Sequence, residues 1–451
     1  MLDVKTILKI TNGTLYSGDK SLICTSFNKD TRTIKSGDTY IGIKGDNFDG
    51  NEFYKEAFSK GANVCILDEA SKSFLKKNEN TIILVKDTIK ALQDMAKYYL
   101  EEKKPKVIAL TGSVGKTSTK DMIYSVLKNE YSVLKTEGNY NNHIGLPLTI
   151  LKLQDEEILL LEMGMNSLGE ISLLSNLVKP DIAIITNIYS VHIGKLGSME
   201  NILKAKLEIL DGLKENGFLI LNNDNKYLRE FNKNNITIKT YGINYDSDVK
   251  CENIHYEENR ASFDIDNITI NINIPTEAFI SNALVAYSVG KLLYIDKAKI
   301  KQGLENFELS EKRLEVISIK GIKIINDSYN AGSESIKNGI DYLLNIKANR
   351  HIAILGDILE TGDYSREIHE DVGKYIIEKN MDVLIAIGND ALYIYNEVNG
   401  KIANSYYFSS KEESYKFLVE FLKKEDVILI KASNGMKFWE ITEFLKTTDM
   451  W

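Results

Sequence analysis

Short apolar runs that end in a polar or acidic residue recur along most of this chain. Val107-Ile108-Ala109-Leu110, Ile158-Leu159-Leu160-Leu161 before Glu162, Asp181–Asn187 and Phe218–Asn222 are brief enough to read as buried strands. Helical spacing follows the first of them through Leu127 and returns over Ser198–Leu213. Strands alternating with helices predict a mostly parallel sheet covered on both faces. Residues 236–274 change to short alternating strands, such as Ile268-Thr269-Ile270-Asn271-Ile272, and predict an antiparallel extension of the same domain. The α/β rhythm resumes near residue 311. Strands are expected at Ile322–Asn326, Ile352–Gly356, Val383–Gly388 and Val427–Lys431, with helices over Ser365–Lys379 and Glu412–Lys424, a Rossmann-like pattern. At the other end, Tyr40–Ile43 and Val64–Leu67 read as strands and Thr88–Glu102 as a helix. The charged Glu101-Glu102-Lys103-Lys104-Pro105 reads as a linker, because proline resists helix continuation. The fold class is therefore α/β in three domains: a small α/β domain over 1–102, a central mostly parallel sheet over 103–310 and a Rossmann-like domain over 311–451.

The length of 451 residues agrees with about three domains. A net charge of −8, with no long basic block, argues against a general nucleic-acid binder. Cys24, Cys65 and Cys251 have no metal-like spacing and suit a reducing cytoplasm. The first residues lack the apolar core of a signal peptide, and no apolar run approaches the ~18 residues of a membrane span. A cytoplasmic protein without membrane insertion is expected, acting as a monomer.

Thr111-Gly112-Ser113-Val114-Gly115-Lys116-Thr117 lies between the expected strand and helix. Loop N–H groups and a helix N-terminus form an anion cradle there, Lys116 adds a point charge, and the Thr117 hydroxyl can ligate Mg²⁺. The usual pattern has a glycine where Leu110 stands, so Gly112 serves in a shorter variant of the phosphate loop. Glu162 is the first charge at the next strand end, where a carboxylate can hold the Mg²⁺ of a nucleotide. His192 lies just past the Asp181–Asn187 strand, either as a ligand on the same sheet edge or as an ordinary structural histidine. Lys206 falls within the apolar stripe of the Ser198–Leu213 helix, which Ser198 caps. It either snorkels to water or is an active-site lysine, possible as a metal-binding carbamate. Thr136–Pro147 is an amide- and glycine-rich loop, and Asn326–Ala331 and Leu355–Glu360 are polar clusters at two strand ends that suggest a binding surface.

Together these residues resemble the Mur ligase family, ATP-dependent amino-acid and peptide ligases of peptidoglycan synthesis, over nearly the whole chain. The distinguishing segments are Asp327-Ser328-Tyr329-Asn330-Ala331 and Leu355–Ser365. They resemble the family member that adds D-alanyl-D-alanine to a UDP-N-acetylmuramoyl tripeptide through an acyl phosphate. The resemblance implies a UDP-substrate domain, an ATPase domain and a C-terminal domain. It places Asp30-Thr31-Arg32, Lys44-Gly45 and Asp49-Gly50 at the UDP-sugar, with Asn139 and Asn142 also toward substrate. It places Gly112, Ser113, Gly115, Lys116, Thr117 and Ser118 at the ATP phosphates and Asn282 at adenine. Thr117 and Glu162 would hold Mg²⁺, and His192 and a carbamylated Lys206 a second metal ion. Arg313, Asp327, Tyr329 and Asn330 would close onto ATP from the third domain. The chain departs from the family pattern at Val114, Asn51, Ala278-Phe279 and Asn434.

Two other functions compete. Another Mur-type ligase or a folate polyglutamate ligase shares this architecture, but the Asp30–Gly50 segment argues against the folate enzyme. A nucleotide-switched binding protein with the same phosphate loop would bind nucleotide without consuming tripeptide or dipeptide.

Overall fold

The computed structural model describes residues 1–75, 80–309 and 313–448. The expected boundary between residues 310 and 311 falls outside the described residues.

The central seven-stranded sheet runs Val249–Lys250, Thr237–Gly242, Phe218–Asn222, Ile182–Ile185, Lys106–Thr111, Ile158–Glu162 and Val133–Lys135. Every pairing in it is parallel. Lys106–Thr111 sits between Ile182–Ile185 and Ile158–Glu162, so the carboxyl ends of these three strands share one edge. Their near-continuous Ile, Leu and Ala runs are buried, as strands covered on both faces require. The helices Lys116–Leu127 and Glu277–Leu292 pack together beside it.

The segment 236–274 corrects one expectation. Thr237–Gly242 and Val249–Lys250 extend the central sheet in parallel. Only Glu252–Glu257, Arg260–Ile265 and Ile268–Ile272 are antiparallel, and they form a separate sheet. Alternating polarity reports one exposed face; it does not say which neighbour a strand takes.

The N-terminal sheet orders Thr14–Ser17, Thr81–Val85, Val64–Asp68, Thr39–Ile41 and Phe27–Asn28. Its helix Thr88–Lys103 packs on Val4–Thr11 and reaches Gly145–Ile150 of the central region. This helix runs through the expected linker. It ends at Lys104, in the left-handed region at φ 52°, and the next strand starts at Lys106. The charges of Glu101–Lys103 are those of a helix end over solvent.

The C-terminal sheet orders Glu315–Ile319, Ile322–Asn326, Asp426–Lys431, Arg350–Gly356, Val383–Ile387 and Asn404–Phe408. Its four inner strands match the sequence pattern, but the two edge strands do not stand out in it. Both are half-exposed, so neither makes a long apolar run. The two polar strand ends, at Asn326 and Gly356, are not neighbours. Asp426–Lys431 lies between them and adds its own carboxyl end, Lys431–Asn434, to the same edge.

Candidate active site

Gly112 and Gly115 make the phosphate loop geometrically possible. Gly115 has φ 78°, and a Cβ on Gly112 would lie 1.9 Å from Thr186 Oγ1. The neighbouring strand end braces the loop. Asn187 Oδ1 accepts from the Ser113 N–H at 3.1 Å and the Val114 N–H at 2.9 Å, and Asn187 Nδ2 donates to the Val114 carbonyl at 3.0 Å. Ser113 Oγ donates to the Tyr189 carbonyl at 3.0 Å and accepts from its N–H at 2.9 Å. Lys116 starts the helix, and its Nζ donates to the Gly112 carbonyl at 2.8 Å and the Ser113 carbonyl at 3.2 Å. Burial lowers the Lys116 pKa, against the pull of Glu162. Ser118 is buried in the first turn. Thr119 Oγ1 donates to Asn282 Oδ1 at 2.8 Å, which brings Asn282 to the loop.

Thr117 Oγ1 donates to Glu162 Oε2 at 2.8 Å, so the two expected Mg²⁺ ligands are together. Asn141 Nδ2 donates to Glu162 Oε1 at 2.8 Å, and the Glu162 N–H donates to Thr136 Oγ1 at 3.0 Å. Mg²⁺ retains waters and commonly takes one or two carboxylates plus phosphate oxygens. Two hard oxygens beside a phosphate loop suit that habit. Among the described residues no group of three or more His, Cys, Asp or Glu forms a protein-only metal cage.

Lys206 is 1% exposed in the helix Met199–Leu207. Snorkelling is thereby excluded. The expected longer helix breaks here, giving way to a tight turn over Glu208–Leu210. Burial pushes Lys206 well below the ordinary lysine range, and the nearby Lys116 ammonium pushes the same way. His192 caps the short helix Ile193–Leu196 with φ 62°. Its pKa is lowered, chiefly by burial, with Glu360 opposing. Its Nδ1 lies 2.5 Å from Glu360 Oε2 of the C-terminal region.

The C-terminal region reaches the loop directly. Arg313 Nη2 donates to Thr117 Oγ1 at 3.0 Å, and its guanidinium lies 4.1 Å from the centre of the Tyr329 ring. Asp327 Oδ2 pairs with the buried Lys431 Nζ at 2.6 Å, and Lys431 also donates to the Asn330 carbonyl at 2.9 Å. Asn434 Nδ2 donates to the Tyr329 carbonyl at 2.9 Å. Thus the Asp327–Asn330 turn is held by the strand between the two polar clusters. A cleft of about 270 Å³ separates the regions, lined by His192, Asn330, Glu334, Glu360, Ser433 and Asn434 among others.

The N-terminal residues form their own group. Arg32 Nε and Nη2 donate to the Asp30 carboxylate at 2.9 and 2.6 Å, which takes Asp30 down to about 2. Thr31 opens the turn between them. Lys44 and Asp49 pair across a small bridge, and the Gly45 N–H donates to the Phe48 carbonyl at 2.9 Å. The departure Asn51 is 1% exposed. Its Nδ2 donates to Asp49 Oδ1 at 2.7 Å and Asp68 Oδ2 at 3.0 Å, tying this loop to the end of the Val64–Asp68 strand. In the Thr136–Pro147 loop, Asn142 Oδ1 accepts from the Gly145 N–H at 2.8 Å, while the Asn139 side chain is exposed.

Family models match three consecutive stretches: "Mur ligase family, catalytic domain" over residues 27–100, "Mur ligase middle domain" over 110–290 and "Mur ligase, glutamate ligase domain" over 312–434. The UDP-N-acetylmuramoyl-tripeptide–D-alanyl-D-alanine ligase of Bacillus subtilis (strain 168) is 37% identical over 450 residues, covering 98% of each chain. The chain belongs to the Mur ligase family. The crystal structure of MurF from Acinetobacter baumannii superposes with a TM-score of 0.90 at 27% identity, covering 99% of both chains. MurF ligase from Thermotoga maritima, in complex with ADP, gives 0.81 at 29% identity over 93% of this chain and 97% of that one.

For a Mur ligase chain, sequence reasoning located the phosphate loop, Glu162, His192, Lys206 and Arg313 in one place. It missed Asn187, Asn141 and the buried Lys120, whose Nζ lies 3.9 Å from Glu162 Oε2. Asn187 and Asn141 stand inside segments already marked as polar strand ends or loops. Lys120 is one helical turn after Lys116, which is the signal that places it on the same face.

Proposed function

We propose that this Mur ligase joins D-alanyl-D-alanine to a UDP-N-acetylmuramoyl tripeptide in the cytoplasm, converting ATP to ADP and phosphate. The carrying observation is the convergence of the phosphate loop, the Thr117–Glu162 pair and Arg313, which leads into the C-terminal sheet, at one point. The division 1–102, 103–310 and 311–451 assigns UDP-sugar binding, ATP binding and docking of the incoming dipeptide to successive domains. Among the described residues no helix is long and apolar enough to cross a membrane.

Gly112, Ser113, Gly115, Lys116, Thr117 and Ser118 would cradle the ATP phosphates, with Asn282 near adenine. Two of the loop N–H groups are already occupied by Asn187, so the anion falls to the N–H groups at the helix start and to Lys116. Arg313 would meet the transferring phosphoryl group from the far side while stacking on Tyr329. Asp327, held by Lys431, fixes the turn that carries Tyr329 and Asn330. Asp30, Thr31, Arg32, Lys44, Gly45 and Asp49 would take the UDP-sugar, with Asn139 and Asn142 lying along the peptide.

The tripeptide carboxylate attacks the γ-phosphorus, and the bond to the β-bridging oxygen breaks to give acyl phosphate and ADP. The dipeptide amine then attacks the acyl carbon, phosphate leaves, and the amine proton passes to a base or solvent. Mg²⁺ held by Thr117 and Glu162 would neutralise phosphate charge as it moves. His192 and Lys206, the latter as a carbamate, would hold a second ion. Burial lowers the Lys206 pKa and so favours the neutral amine, the form that adds CO₂, and a carbamate presents oxygens to a hard cation.

The test is ADP release with a panel of UDP-N-acetylmuramoyl tripeptides, each with and without D-alanyl-D-alanine. Release that needs both supports the ligase. Nucleotide binding without consumption of either would favour a switch.

A further inference from the structure

Glu360 of the C-terminal region contacts the His192 ring. It follows the strand Arg350–Gly356, and its backbone is left-handed at φ 62°, an unusual conformation for a residue with a side chain. Its carboxylate is shared. Oε2 lies 2.5 Å from His192 Nδ1, and Oε1 accepts from Lys195 Nζ at 2.9 Å. The surrounding backbone is fitted closely. The Gly194 N–H donates to the Glu360 carbonyl at 3.3 Å, and a Cβ on Gly194 would come within 2.6 Å of Gly362 N. Tyr364 OH donates to the Gly197 carbonyl at 2.9 Å. The His192–Glu360 contact joins residues 168 positions apart in sequence, one from the central region and one from the C-terminal region.

Against the opposing effect of burial, Lys195 and His192 lower the Glu360 pKa, and an ionised carboxylate can only accept a hydrogen bond. His192 Nδ1 must therefore carry the proton, and the Nε2 lone pair is left for a ligand. The same pairing orients metal-binding histidines elsewhere: an outer carboxylate fixes the tautomer and ring angle. Here the carboxylate comes from a different sheet. It is in place only while the two regions are docked.

We propose that Glu360 is a positioning residue that makes His192 competent for metal when the C-terminal region docks. The proposal rests on the reading of His192 as a metal-site residue. Docking thus does two things at once. Arg313 arrives at Thr117, and Glu360 sets the His192 ring. An undocked enzyme holds its histidine in a mixture of tautomers and ring angles, and ATP is spared until the third region is seated.

The test compares the full-length protein with Glu360→Ala, Glu360→Gln and Lys195→Ala. Mn²⁺ affinity in the presence of ADP is measured by electron paramagnetic resonance, and the His192 tautomer by ¹⁵N NMR on histidine-labelled protein. Glu360→Ala is expected to lose roughly 10- to 100-fold in Mn²⁺ affinity and turnover, with a mixed tautomer. Glu360→Gln keeps an acceptor oxygen and should recover part of the loss. Lys195→Ala should stay near wild type. Wild-type Mn²⁺ affinity and an unchanged tautomer in folded Glu360→Ala would overturn the proposal. So would an equal loss in Lys195→Ala with the tautomer intact, because docking alone would then explain it. If the wild type formed no ADP with any substrate pair, the ligase reading would fall. The tautomer and Mn²⁺ measurements would still decide the role of Glu360.

Discussion

Lys116 contacts two loop carbonyls and stands where a phosphate chain would run. Lys116→Ala should fold normally and lose roughly 100- to 1,000-fold in turnover, the cost of one preorganised charge contact. Circular dichroism and ADP release check this together, and near-normal turnover would remove Lys116 from the chemistry. Lys206 makes a different demand. Lys206→Ala and Lys206→Arg should both be nearly inactive, since neither can carry a carbamate. Protein equilibrated with ¹³C-bicarbonate should show a carbamate resonance that Lys206→Ala lacks. Full activity in Lys206→Arg would end the carbamate account, because a permanent cation cannot replace an anionic ligand. The apolar stripe marked Lys206 as unusual but left snorkelling open, and the fold decides for burial. The partnership of His192 with Glu360 was not legible, because it depends on how two sheets dock rather than on any local pattern.

The strand–turn–helix from Lys106 to Leu127 carries its own signature: a buried apolar run, glycines in the turn, and a lysine at the helix start. It was readable because local sequence and tertiary role agree. The edge strands Glu315–Ile319 and Asn404–Phe408 were not readable, since half-exposed edges carry little apolar contrast. Helix packing can be tested at Gly303 in the helix Lys297–Glu305, where an added Cβ would come within 2.5 Å of Val126 Cα in the helix Lys116–Leu127. Gly303→Ala should destabilise the protein by about 1–3 kcal/mol, as overpacking does, and shift the midpoint of a urea melt. A midpoint equal to wild type would mean the two helices can part at little cost. Gly194→Ala acts at the contact between regions instead. It should leave the melt almost unchanged but slow turnover, because Gly194 faces the Glu360–Gly362 backbone. Unchanged turnover would show that this close approach is dispensable.

Three regions share one reaction, and the Arg313–Thr117 and His192–Glu360 contacts bring two of them together at the site. Domains that close around a shared site ordinarily move relative to one another. Small-angle scattering of the free protein should therefore differ from that under a saturating ATP analogue and tripeptide. Identical profiles would count against closure as a working step. The three-domain α/β architecture was legible because each region repeats its own strand rhythm. How the regions meet was legible only at Arg313, through the family resemblance, because Glu360 and Gly194 look like ordinary surface or loop residues until they are placed against one another. The most direct test of the whole account uses UDP-N-acetylmuramoyl tripeptide labelled with ¹⁸O in its reacting carboxylate, with ATP and D-alanyl-D-alanine. The account predicts a pentapeptide product, ADP, and one ¹⁸O atom in the released phosphate, by mass spectrometry. Unlabelled phosphate, or ADP formed without the dipeptide joining the tripeptide, would contradict it.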